Sequence, residues 1–192
     1  MEKFKIYRGI AIITVLCGIT LTLLPYSLPV RLMDMFSLFS MFEGILMFIC
    51  YALLAGIFNF YNEPLWKKLS IWLFILGTIL FNVVIRVYNG ESKWMNFLLL
   101  LYYTPLAVAF ITVTHEKIKP VAQSFGYILI IVCLLRLALP FISESAYFSI
   151  YANAFSIVYM MPLILIAILF HKMATASDNN YRQERKSGED LL

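Results

Sequence analysis

Hydrophobic positions along this chain fall into long uninterrupted runs and do not alternate with polar ones. Six runs stand out, at about 9–30, 35–58, 69–88, 96–114, 121–141 and 147–171, with short polar connectors between them. A run of about 20 apolar residues is the length at which an α-helix crosses a ~30 Å hydrocarbon core. In lipid the backbone must satisfy its own hydrogen bonds, and the runs lack the period-two alternation of barrel strands. The expected fold is therefore all-α: a polytopic membrane bundle of six transmembrane helices. Residues 1–172 form this bundle and 173–192 a polar tail. Short connectors make consecutive helices antiparallel neighbours.

Lys3, Lys5 and Arg8 precede the first run, as basic residues precede the apolar core of a leader. It continues past Leu24 to Val30 with no small-residue cleavage site, too long for a signal-peptide core. The expectation is a first span that stays attached. Local punctuation fits the same layout. Trp66 and Trp72 bracket the start of the third run and Trp94 lies beyond its far end, as an aromatic belt requires. Pro120 suits the first turn of the fifth helix, where a missing N–H costs nothing. Pro105 and Pro162 fall inside runs and free a carbonyl or kink the helix there.

Charge sets the orientation. Eleven of the fifteen Lys and Arg residues lie on one side: Lys3, Lys5, Arg8, Lys67, Lys68, Lys117, Lys119, Lys172, Arg182, Arg185 and Lys186. Arg31, Arg86 and Lys93 lie on the other, and Arg136 sits within a run. By the positive-inside rule both termini are cytoplasmic. The localisation expected is an integral multi-pass protein of a bacterial inner (plasma) membrane. Composition agrees: 62% of residues are hydrophobic and 14% charged, against about 45–50% and 25% in an ordinary soluble domain. The net charge of +4 belongs to the cytoplasmic flanks and forms no aromatic-basic patch, so nucleic acid is not an expected partner.

Two charges lie well inside the runs, Glu43 and Arg136. An ionisable side chain at such a depth is expensive and marks a functional site by default. At 1.5 Å per residue, Glu43 lies roughly 10–12 Å and Arg136 about 8 Å below the same outer boundary. Asn82, Tyr103 and Asn153 reach this layer from the third, fourth and sixth spans. Arg86, one turn beyond Asn82, is close enough to the interface to snorkel and completes the candidate set. The cytoplasmic halves, such as Leu163–Phe170, carry few polar groups, so the expected pocket opens outward. Equally, Asn, Ser and Tyr link membrane helices by hydrogen bonds worth about 0.6 kcal/mol on average, and a Glu–Arg pair can be architectural.

Catalytic chemistry finds no footing. His115-Glu116 begins like a zincin motif, but HEKIK lacks the second histidine at i+4. There is no nucleophile elbow or P-loop, and no acidic pair set for Mg²⁺. Cys17, Cys50 and Cys133 lie in apolar runs without CxxC spacing, which argues against disulfides or zinc. No enzyme activity, metal or cofactor is expected. In size and span number the chain is similar to small transporter subunits, and its polar tail to the membrane input regions of some bacterial sensors; no diagnostic residue decides between them.

The leading expectation is sensing or signalling, with the bilayer as the surroundings. A small amphiphilic or anionic ligand from the outer side would be bound by Arg136. Glu43 would hold that side chain in the empty pocket, with Asn82, Tyr103 and Asn153 orienting the ligand. The tail would pass output to a protein partner. The alternatives are a small-molecule or proton-coupled transporter, or a transporter subunit, and a structural assembly subunit.

Overall fold

A computed structural model describes residues 2–23, 33–87, 97–142, 158 and 160–175, with the side chains of 2, 21–23, 33–40, 43, 82, 85–87, 139, 140 and 142 excepted. Among these residues there are six helices and no strand: α1 (Glu2–Leu23), α2 (Met33–Phe60), α3 (Leu65–Val87), α4 (Leu98–Ile111), α5 (Lys119–Ile142) and α6 (Met160–Thr175). The protein is all-helical. Each helix overlaps one of the six hydrophobic runs, and its ends follow backbone chemistry more than hydropathy. Thus α1 starts at Glu2, ahead of its run, because nothing in Glu-Lys-Phe-Lys breaks a helix. At the other extreme α4 stops at Ile111, where the β-branched sequence Thr-Val-Thr begins. Pro120 lies in the first turn of α5 and Pro105 inside α4.

The α2–α3 connection has a definite shape. Asn62 adopts the left-handed conformation (φ 52°), which asparagine tolerates better than most residues. The Glu63 amide donates to the Phe58 carbonyl (2.9 Å) and the Asn62 amide to that of Asn59 (3.3 Å). These two bonds make a Schellman cap, and Pro64 then prevents the helix from resuming in register. The cap turns the chain sharply and directs Glu63 back into the protein.

Consecutive helices from α1 to α5 pack against one another. Aromatic side chains run through the interior. Tyr51 of α2 meets Phe74 of α3 at 4.6 Å between centroids, Phe58 meets Phe110 of α4 at 4.8 Å, and Phe110 meets Phe125 of α5 at 4.6 Å. Tyr7 of α1 reaches Phe170 of α6 (5.6 Å), bringing the last described helix beside the first. Two glycines allow close approaches, Gly77 by a side chain and Gly126 by a neighbouring backbone. A Cβ on Gly77 would stand 2.5 Å from the ring of Tyr102, and one on Gly126 2.6 Å from the Ala107 carbonyl oxygen.

The outward faces are apolar too. On α3, Leu69, Trp72, Leu73, Leu76, Ile79, Leu80 and Val83 share one helical stripe and are each 44–56% exposed. Within the described residues one helical stretch, Lys119–Ala138 with mean hydropathy 2.0, is long and apolar enough to cross a membrane. Gly44–Phe60, Leu98–Ile111 and Met160–Thr175 are shorter apolar helices. The parts of the expected spans at 24–30, 88, 96, 147–157 and 159, and the tail beyond residue 175, lie outside the described residues.

Candidate functional site

Of the six residues singled out from the sequence, two can be compared directly, and they touch. Arg136, partly buried on α5, donates from a guanidinium nitrogen to the Tyr103 hydroxyl of α4 at 3.4 Å. Tyr103 itself is buried, fixed edge-on to Phe74 at 5.0 Å and beside Tyr102 at 5.4 Å. Its phenol is therefore held in place, and α5, which approaches α4 closely at Gly126, carries Arg136 opposite it. Tyr103 is one of Arg136's interactions and not the whole of them. The side chains of Glu43 on α2 and of Asn82 and Arg86 on α3 lie outside the described residues, as does Asn153. Chemically, a guanidinium next to a phenol offers N–H and O–H donors, a set suited to a carboxylate or phosphate oxygen.

A second polar cluster lies at the opposite end of the helices. Along α5, Arg136 stands about 25 Å from Lys119, so the two clusters are separated by most of the bundle's length. Here the Lys67 ammonium contacts the Glu63 carboxylate at 2.7 Å, with both side chains 5% exposed or less. Lys67 also donates to the Thr112 carbonyl (2.8 Å), and the Thr114 amide and hydroxyl donate to the other Glu63 oxygen (3.4 and 3.5 Å). Gln123 adds a bond to the Ile111 carbonyl (3.1 Å). The pair thereby ties the α2–α3 turn to the α4–α5 connection. Both Glu63 oxygens are engaged, so the cluster reads as a structural tie.

Beside it Tyr61 stacks on His115, with centroids 4.0 Å apart and planes 36° apart. The Tyr61 hydroxyl and His115 Nδ1 are buried without a hydrogen-bond partner among the described residues. Burial pushes the Tyr61 phenol above its ordinary pKa, keeping it neutral. Among the described residues no group of three His, Cys, Asp or Glu side chains is placed to hold a metal ion.

Sequence reasoning missed this tie because it counted Lys67 among the solvated cytoplasmic cations. A signal was present: Glu63 and Lys67 stand at i and i+4 with the acid first, the favourable order at a helix start. Nothing near Glu63 and Lys67 in the chain names the partner loop, since Thr112 and Thr114 are 45 and 51 positions from the groups they bond. Comparison with protein families, with characterised proteins and with solved structures finds no match.

Proposed function

We propose that this chain is a multi-pass integral membrane protein of six transmembrane helices, with both termini cytoplasmic. In this reading it recognises a small anionic amphiphile in an outer-leaflet pocket and uses that recognition for sensing. The observation that carries the reading is Arg136. It is a cation within the helical stretch apolar enough to cross a bilayer, and its donor atoms lie beside a phenol on the neighbouring helix. Intramembrane cations of this kind mark ligand or ion pathways. The membrane part is supported by the apolar outward stripe of α3, which a water-facing helix would fill with charge, and by the eleven-to-three bias of Lys and Arg.

In the proposed pocket Arg136 receives the anionic head and Tyr103 shares one of its oxygens. Glu43 is the counter-charge in the empty state, and Asn82, Asn153 and Arg86 complete the polar wall. Octanoate is a suitable probe. At a concentration one hundred times its dissociation constant it should stabilise the detergent-purified protein by about 2.7 kcal/mol. The Arg136→Gln variant should show no such shift in a thermal unfolding scan; a response equal to that of the natural chain refutes the pocket. Removing residues 173–192 should keep the shift and abolish output in cells, whereas a transporter would keep its flux in vesicles. If the Glu43→Leu, Arg136→Leu double variant folds and keeps its cellular phenotype, the polar layer is architectural.

Topology is checked separately. A cysteine placed at Ser92 should react with an impermeant maleimide in intact cells, and one at Lys117 after permeabilisation alone. The native background is low, because Cys50 and Cys133 are buried and Cys17 is partly so. Equal labelling of both positions in intact cells would overturn the six-span arrangement.

A further inference from the structure

An open groove of about 300 Å³ runs between α1 and α6. Its walls are Ile12 and Leu16 on one side and Ile164 and Ile168 on the other, all at least 40% exposed. Its floor is Val15 and Ala167, whose short side chains leave the gap that the larger walls frame. On α6 the lining falls at 164, 167, 168 and 171, and on α1 at 8, 12, 15 and 16, so each helix contributes one continuous stripe. At 1.5 Å per residue the groove is about 12 Å long.

One end is polar. There a guanidinium nitrogen of Arg8 lies 3.4 Å from His171 Nδ1. Arginine has donors alone, so in this hydrogen bond Nδ1 is the accepting atom and Nε2 is the ring nitrogen left to donate. Both side chains then present spare N–H groups, and none of the residues lining the groove is acidic. Lys172 is exposed next to His171. Phe4 packs on Phe60 at 5.2 Å, Phe60 on Tyr61 at 5.0 Å, and Tyr61 on His115, which puts this polar end level with the Glu63–Lys67 tie. In the proposed topology that level is the cytoplasmic headgroup region.

We propose that the α1–α6 groove seats one acyl chain of an anionic phospholipid of the inner leaflet, with its phosphate held by Arg8 and His171. The proposal rests on the membrane reading but not on the Arg136 pocket, which lies at the other end of the helices. Charge complementarity favours this occupant. A donor cluster at headgroup depth, continuous with an apolar channel, matches a phosphate joined to a hydrocarbon chain, and basic pockets between helices at this level hold such headgroups. A second copy of the chain would cover the apolar stripe and leave two cations facing each other.

The full chain is reconstituted in discs of phosphatidylcholine doped with phosphatidylglycerol, and retained lipid is identified by native mass spectrometry after release into mild detergent. The natural chain should retain one phosphatidylglycerol, enriched roughly fivefold or more over its share of the disc, the value of about one interfacial charge. Arg8→Gln with His171→Gln should remove the enrichment. Filling the groove by Ala167→Phe, or by Ile12→Trp at an exposed position, should expel the lipid with both headgroup residues intact. Glycerol phosphate, lacking the chain, should not compete. Enrichment that survives the groove-filling variants, competition by glycerol phosphate, or a dimer broken by those variants would each overturn the lipid site. Insertion into discs without headgroup preference overturns it too and leaves the membrane reading standing. Failure to insert removes both.

Discussion

Replacing Glu63 by alanine is expected to cost about 3–5 kcal/mol, because it strands a buried ammonium whose counter-charge is gone. That is a large share of the roughly 5–15 kcal/mol that separates a folded protein from its unfolded ensemble. Lys67 keeps its bond to the Thr112 carbonyl, but a neutral acceptor does not replace a carboxylate at 2.7 Å. Lys67→Met should be comparably harmful, since it leaves the Glu63 carboxylate buried with donors from Thr114 alone. The double variant Glu63→Gln, Lys67→Met removes both charges and should recover most of the loss, as buried pairs replaced by matched neutral groups commonly do. Unfolding in mixed detergent micelles measures all three. A double variant as unstable as the singles would show that the charges act separately and not as a tie.

Gly126→Ala should be the next most damaging change, at about 1–3 kcal/mol, the usual cost of overpacking a close interface. The new methyl would stand 2.6 Å from the Ala107 carbonyl oxygen and 3.1 Å from the Ile111 amide nitrogen. Both are backbone atoms, so relief requires α4 and α5 to move apart. The sign is what makes the test sharp. Alanine is otherwise a better helix former than glycine by about 1 kcal/mol, and Gly126 has no positive φ to favour glycine. Gly44→Ala, with nothing within 4 Å of the new atom, should therefore stabilise while Gly126→Ala destabilises. Thermal denaturation of the pair decides it; two changes of the same sign would mean that the close approach is not limiting.

The contrast between these residues explains what was legible in the sequence. Helical content and the existence of six segments follow from the length and continuity of the apolar runs, a signal summed over many residues. The ends of α1 and α4 were less legible, because hydropathy places a boundary where polarity changes. A backbone, by contrast, stops where a Schellman cap or a β-branched stretch ends its hydrogen bonding. Arg136 and Tyr103 fall at one level when residues are counted along antiparallel helices, and their side chains are in contact. Glu63 and Lys67 could not be recognised as buried, since near a connector the same residues read as solvated charge. Their burial depends on Thr112 and Thr114, and no local pattern names that loop. Gly77 and Gly126 are similar: their role exists only opposite Tyr102 and Ala107.

The same separation in sequence has a consequence in time. Glu63 and Thr114 are 51 positions apart. At about 5–20 residues per second of synthesis, Thr114 follows Glu63 by roughly 3–10 s. For almost all of that interval the acid and base that follow α2 have been made, but the loop that encloses them has yet to be. The first half of the protein is therefore made before the groups that complete its buried pair, and the arrival of the α4–α5 connection supplies them.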